Sequence, residues 1–359
     1  MSGVGAGSGW SLRPYRPGDE DALVELFAAV FGRPVDLAAW RWKLKGRRSP
    51  VENVWVAVAD DGRVIAQYAG IPVRLRLAGR ERWAMQSVDT MVSPAFRRRG
   101  ILTALGTSVY ASWAEGGVSA VFGVPNQNWG SRTDALGLQP VLPLAWLRSP
   151  LHAGAALARA LRLRGTAAAP LVWLGDALAA GWRGARSPRD GGVRLEPVRS
   201  AGEEFDSLWA RAAAGLDNAV VRDASWIEWR YLQTPGPPYT VLLARRGGEP
   251  VGYVAYRLAG SAEHRSGLVA DLLAIPEAEG AARVLLAAAL DDLLARGAEA
   301  AHAAAPRSGT TERTLRRAGF LRRRGSSQVV LAALTPEVDP AALRRPGRWL
   351  LSAGDFDVV

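Results

Sequence analysis

The sequence predicts a mixed α/β chain in which one α+β unit, a central sheet flanked by helices, is built twice. Three observations carry this. Four short segments recur in the same order, at separations of 182 to 187 residues. Within each copy, apolar alternation marks strands in the middle, with helical spacing before and after. One stretch, VSPAFRRRGILTAL at 92–105, joins a strand to a helix through three arginines and a glycine.

The repeat orders the chain. DLAAWRWK (36–43) has a counterpart in DASWIEWR (223–230). In both, an Asp stands six residues before the second Trp, and a basic residue follows that Trp. DGRVIA (61–66) matches GGEPVG (247–252), a tight turn feeding a strand. VDTMVSP (88–94) matches ADLLAIP (270–276), with Asp89 and Asp271 in register, and ALGLQ (135–139) matches RAGFL (317–321).

Each copy opens with a strand (10–16; 193–199) and a helix (17–31; 201–215). Acidic residues in the first turn of those helices suit the backbone dipole. After a Trp-rich segment, alternation predicts strands at 54–60, 64–78 and 87–92, and at 240–246, 251–259 and 268–275. A helix over 101–115 presents Ile101, Leu102, Leu105, Val109 and Trp113 at helical spacing and stops at Gly116-Gly117. Its counterpart spans 281–297, and strands at 118–124 and 298–305 follow. The expected domains are 10–140 and 193–335, with a helical connection at 141–192 and a C-terminal tail at 336–359.

Composition bounds the function. The chain has 359 residues, 48% of them hydrophobic, enough for two cores. Its net charge is +11, yet Lys43 and Lys45 are the only lysines. Arginine, alanine and glycine abundance fits GC-rich bacterial coding plus an anionic ligand, and nucleic acid is the less favoured partner. No cysteine is present, which removes thiolate chemistry. His152, His264 and His302 show no metal-ligand spacing, so no metal is expected. The leader lacks a signal-peptide core, and the apolar run at 167–182 carries Pro170 and Asp176 and is short for a bilayer. A cytoplasmic protein is expected. A basic amphipathic helix within 150–185 reads as a packed connection, with a membrane surface as the alternative.

Arg97, Arg98 and Arg99 pose an electrostatic question. Cations at a helix start are disfavoured by roughly 0.3–1 kcal/mol each. Either they are solvated loop charge, or a bound anion offsets that cost. Strand, basic loop and helix N-terminus make an anion site from unpaired N–H groups, and Gly100 admits close approach. Neither a GxxxxGK[ST] loop nor a dinucleotide fingerprint is present.

On these residues the segment resembles motif A of the GCN5-related N-acetyltransferase (GNAT) superfamily, [Q/R]-x-x-G-x-[G/A]. Arg97 and Gly100 match its first and fourth positions, and Val92-Ser93-Pro94 matches the preceding V-x-P. Leu102 stands where Gly or Ala is usual. VPNQNWGSRTDALGL (124–138) resembles the family's Asn-containing loop, with Asn126 on the Asn and Thr133 where a Tyr acid is common. Both halves are covered, so the chain resembles tandem two-GNAT-domain acyltransferases, including their Trp-rich segments and a tail like RWLLSAGDFDVV.

The resemblance implies an N-acyltransferase, using acetyl-CoA or another acyl-CoA as co-substrate and an amine of a small molecule, amino sugar or peptide as acceptor. It implies cofactor contacts from Met91, Val92, Arg97, Arg98, Arg99, Gly100, Ile101, Leu102, Thr103 and Asn126. A catalytic carboxylate would be Asp89, whose alternative role is a structural hydrogen-bond acceptor. The second copy replaces the arginines by Glu277 and Glu279, which would repel a diphosphate. It therefore reads as a degenerate domain, with one cofactor per chain. Two other readings stay open: an aminoacyl-tRNA-dependent transferase of tandem-GNAT fold, and a non-catalytic acyl-CoA-binding protein. Asp355 and Asp357 read as a short polar tail, with amine ligands as the alternative. Arginines at 315–325 read as a solvated edge, and Trp40, Trp42, Trp226 and Trp229 as packing.

Overall fold

A computed structural model describes residues 9–125, 129, 132–152, 154, 161, 169–184, 192–260, 265–278, 280–325 and 327–357. The chain forms two compact units: Met1–Leu142 with Gln328–Arg344, and Pro143–Ser327 with Arg345–Val359.

Unit 1 begins with β1 (Trp10–Pro14), α1 (Glu20–Phe31) and α2 (Leu37–Lys45). Then come β2 (Val54–Ala59), β3 (Val64–Leu77), β4 (Arg80–Val92), a 3-10 turn at Pro94–Phe96 and α3 (Ile101–Glu115). β5 (Val118–Gly123) and α4 (Arg132–Ala135) come next, and the first repeat runs on into the strand after them. β6 (Gln139–Pro150) follows, and α5 (Ala169–Gly184) lies beyond it. The expected helical connection at 141–192 thus begins as strand, because Leu142 and Leu144 on one face and Val141, Ala145 and Leu147 on the other each find a buried place.

Unit 2 repeats the order. β7 (Val193–Pro197), α6 (Glu203–Ala213), β8 (Asn218–Val220) and α7 (Ala224–Ile227) come first, and α7 continues as a π-turn over Glu228–Leu232. β9 (Thr240–Arg246), β10 (Glu249–Gly260) and β11 (Arg265–Ala274) precede α8 (Ala281–Ala295) and β12 (Ala300–Pro306). α9 (Thr310–Arg317), β13 (Leu321–Arg322), β14 (Ser327–Ala333) and β15 (Trp349–Leu350) close the chain.

The Trp-rich repeat has a local cause. Asp36 caps α2, accepting from the Ala38 amide at 2.9 Å, and Asp223 caps α7, accepting from the Trp226 amide at 2.8 Å. Each cap starts a helical segment; of the four tryptophans expected to pack, Trp40, Trp226 and Trp229 are buried in the cores and Trp42 is half-buried.

The unit 1 sheet runs β1-β2-β3-β4-β5-β14, antiparallel except for the parallel β4/β5 pair. α3 packs Leu105, Val109 and Trp113 onto Tyr68, Met85 and Val121. Val330 and Ala332 of β14 join that core. The unit 2 sheet runs β6-β12-β11-β10-β9-β7, with parallel β11/β12. The last sheet strand of each unit therefore comes from the other repeat: β14 pairs with β5, and β6 pairs with β12 from Pro306↔Leu144 to Ala300↔Pro150.

The short polar tail expected at Asp355 and Asp357 is corrected at Asp355. Leu351, Ser352, Gly354, Asp355 and Phe356 are buried in unit 2, because Arg222 and Arg230 bind this segment. Only Asp357 is exposed among Leu351–Asp357. Among the described residues no helix is long and apolar enough to cross a membrane, and no group of His, Asp and Glu is arranged to hold a metal ion. Most of 150–168 and 185–191 lies outside the described residues, as do His264 and Glu279.

Candidate active site

β4 is paired on both sides only over its first half. Its parallel ladder with β5 runs from Trp83↔Val118 to Gln86↔Phe122 and stops. From Ser87 to Val92 the strand keeps only β3, with Gln67↔Met91 and Ala66↔Val92 as the last pairs. The sheet opens there; the Ser93 amide donates to Ile65 of β3 and Met91 pairs with Gln67, so the backbone of Val92 between them turns to the opening, a free edge able to accept an added strand. Met91 points its side chain into the core, at 2% exposed, so backbone rather than side chain is on offer.

A β-bulge sits in this free half, where the β3 register shifts between Gln67 and Ala69. Asp89 occupies it with φ +46°, a left-handed conformation that non-glycine residues rarely adopt. Two contacts hold it. Gln67 Nε2 donates to the Asp89 carbonyl at 2.9 Å, and Lys43 Nζ lies 2.8 Å from Asp89 Oδ2. Both charged side chains are mostly buried, at 12% and 9% exposed. Gln67 Oε1 and Thr90 Oγ1 are buried beside the bulge without a hydrogen-bond partner.

The loop after β4 carries the arginines. The 3-10 turn Pro94–Phe96 leads into Arg97, Arg98 and Arg99, all exposed. Arg98 takes φ +63° and Gly100 φ +74°. Gly100 is the N-cap of α3 and supplies no side-chain cap, and the first turn holds no acidic residue. A Cβ on Gly100 would meet nothing within 4 Å, so glycine serves the backbone angle and leaves the approach open. The arginine side chains stay local: Arg97 Nε to the Val92 carbonyl and an Arg99 amino group to the Ala95 carbonyl, each 3.4 Å, with Arg99 over Phe96 at 4.9 Å. These are long, weak bonds that a phosphate can displace. Ile101 is buried, while Leu102 is half-buried and Thr103 exposed. The bulk of Leu102 packs partly against the core instead of filling the helix mouth.

Asn126 lies outside the described residues. Thr133 is half-buried, and its carbonyl accepts from the Leu138 amide.

Sequence reasoning missed several partners. Ser87, the first residue past the β4/β5 ladder, donates to the Tyr68 hydroxyl at 3.1 Å, and Tyr68 meets the Tyr110 hydroxyl at 2.7 Å. Burial pushes Tyr68 up to about 12 and Tyr110 also well up, so both stay protonated. Lys43 was missed too, although a signal existed. It is the basic residue after the second Trp of the repeat, and its counterpart Arg230 is also bonded, to the Gly354 and Phe356 carbonyls.

Residues 11–130 match the acetyltransferase (GNAT) domain model. No curated protein matches the chain in sequence. Solved structures match it in shape. A GCN5-related N-acetyltransferase from Anabaena variabilis shares 12% identity over 91% of this chain and 73% of its own, with a TM-score of 0.66. One from Kribbella flavida shares 17% over 90% and 70%, at 0.59. Eis1 from Mycobacterium abscessus shares 18% over 90% and 73%, at 0.57. At such identities the likeness is one of fold. A sheet that opens after β4, a bulge at the opening and a basic loop into α3, with the domain match over the same residues, establish that this chain has the GCN5-related N-acetyltransferase fold.

Proposed function

We propose that unit 1 is an acyl-CoA-dependent N-acyltransferase, with acetyl-CoA as donor and an amine of a small molecule, amino sugar or peptide as acceptor. One observation carries the reading: the free edge of β4 runs directly into the uncapped, arginine-fringed N-terminus of α3. That edge suits the amide groups of pantetheine, and that terminus suits a diphosphate.

Acyl-CoA supplies an acyl group activated as a thioester. Arg97, Arg98 and Arg99 and the N–H groups of Gly100, Ile101, Leu102 and Thr103 bind the diphosphate. Backbone groups of Met91 and Val92 align the donor, and an N–H there polarises the thioester carbonyl. Asp89 takes the proton that the amine sheds as its nitrogen attacks the thioester carbon; collapse of the tetrahedral adduct then breaks the C–S bond, and coenzyme A leaves as a thiolate that takes a proton from Asp89 or solvent. Lys43 pairs with the Asp89 carboxylate at 2.8 Å and holds it in place. Asn126 is assigned to the cofactor on its motif position alone. Unit 2 is assigned no acyl-CoA.

Thermal melting with acetyl-CoA tests this. At about 100 times the Kd, binding adds about 2.7 kcal/mol, a shift of roughly 5–10 °C for a unit of this size. Arg98→Glu should abolish the shift. Stabilisation by tRNA alone would support the aminoacyl-tRNA reading, and stabilisation by neither would reject both transferases. Asp89→Asn should keep the shift while lowering turnover by about 10²–10⁴-fold. Unchanged turnover of that variant across about pH 6–9 rejects Asp89 as the base.

A further inference from the structure

Unit 2 opens its sheet where unit 1 does. β11 and β12 pair in parallel only at Gly267↔Ala301 and Leu268↔His302, and past Leu268 the ladder ends. This opening has an occupant from the same unit. The 3-10 turn Ala353–Asp355 packs on both β11 and β12, and β15 just before it runs parallel to β8.

The anchoring is polar and fully buried. Asp271 of β11, the counterpart of Asp89, accepts from Arg222 Nε at 3.0 Å, Tyr231 at 3.1 Å, Tyr253 at 2.5 Å and Ser352 Oγ at 2.9 Å. Arg222 then donates to Asp355 Oδ2 at 2.7 Å, so one guanidinium ties the strand to the tail. Arg230 binds the carbonyls of Gly354 and Phe356 at 2.7 and 2.9 Å. Ser352 and Asp355 close a capping box within the turn. Gly354 presses onto the strand itself: a Cβ there would collide with the Tyr231 hydroxyl and lie 3.0 Å from the Ala270 carbonyl oxygen.

We propose that the opening between β11 and β12 is an internal peptide-binding site whose permanent ligand is the chain's own segment 349–357, standing where unit 1 would take the pantetheine of acyl-CoA. Its occupation, beyond the loss of arginines before α8, is what denies unit 2 a cofactor. The inference rests on the reading of the unit 1 opening as the acyl-CoA slot, and its tests separate the two.

Native-state hydrogen exchange on the intact wild-type chain reads the ligand directly. Amides at 269–274 and 351–356 should open together, with one denaturant dependence; independent opening overturns the proposal. Gly354→Val should speed exchange at 269–274 by about tenfold or more while leaving β3 and β4 unchanged. Unchanged exchange at 269–274 in that variant overturns it. Calorimetry of the wild-type chain with acetyl-CoA should saturate at one site per chain, and a second saturable site overturns the proposal. No binding at all would overturn the reading of unit 1, leaving the exchange data to decide this one.

Discussion

Asp89 and Asp271 hold equivalent places in the repeat and meet opposite surroundings. Asp89 sits at the edge of an opening, in a left-handed bulge, with one lysine beside it. Asp271 is fully buried and shares Arg222 with Asp355. Both carboxylates share the Arg222 guanidinium, and burial makes ionising the pair of them costly. Asp355 absorbs that cost. Its Oδ2 takes the hydrogen bonds, its Oδ1 has none, and burial pushes its carboxyl up to about 6, with Asp271 adding and Arg222 opposing. A carboxyl raised on folding contributes stability below its ordinary value of 3.8, and that contribution is lost as pH rises through about 6. Asp355→Asn should therefore cost more stability near pH 4.5 than near pH 7.5. Urea unfolding at both pH values checks this, and a cost that is constant or grows with pH refutes it.

The loop and helix that follow β4 work as one element. Gly100 must hold φ +74° for the chain to turn from the arginine loop into α3 with its N–H groups exposed. A β-branched residue has room there but not the conformation, at roughly 1–2 kcal/mol. Gly100→Val should thus melt only slightly lower, yet lose most acetyl-CoA binding, because relief of the strain re-aims the helix mouth. Calorimetry and melting on the same sample check the contrast; full binding with a large stability loss would assign Gly100 to folding alone. In unit 2 the matching turn keeps its Pro276 and 3-10 geometry but carries Glu277, so this element can be built without arginines. That comparison argues that Arg97, Arg98 and Arg99 are present for a ligand.

At the scale of the molecule, neither repeat completes its own sheet. β14, from the second repeat, covers the β5 edge, and Val330 and Ala332 enter the unit 1 core. β6, leaving the first repeat, covers β12 in unit 2. A break at 192 would expose an unpaired edge on each fragment. Fragments 1–192 and 193–359 should each lack a cooperative melt, whereas co-expression should restore one. A fragment 1–192 that melts cooperatively within about 5 °C of the intact chain would show that β14 is dispensable.

What was legible in the sequence was local. Element order, the Asp36 and Asp223 caps, the stop at Gly116, the helix start at Gly100 and the arginines before it depend on residues within a few positions of one another. Periodicity and dihedral preference encode these directly. The repeat also paired Asp89 with Asp271 before any fold was known. Only the tertiary structure decided what those aspartates touch. Lys43 reaches Asp89, and Arg222 reaches Asp271 and Asp355 across 49 and 133 residues. It also turned an expected polar tail into the buried occupant of unit 2, and exchanged the closing strands. Such contacts follow from sheet register and chain path, which join residues distant in sequence. An arginine or aspartate looks the same in a sequence whether solvent or a buried partner awaits it.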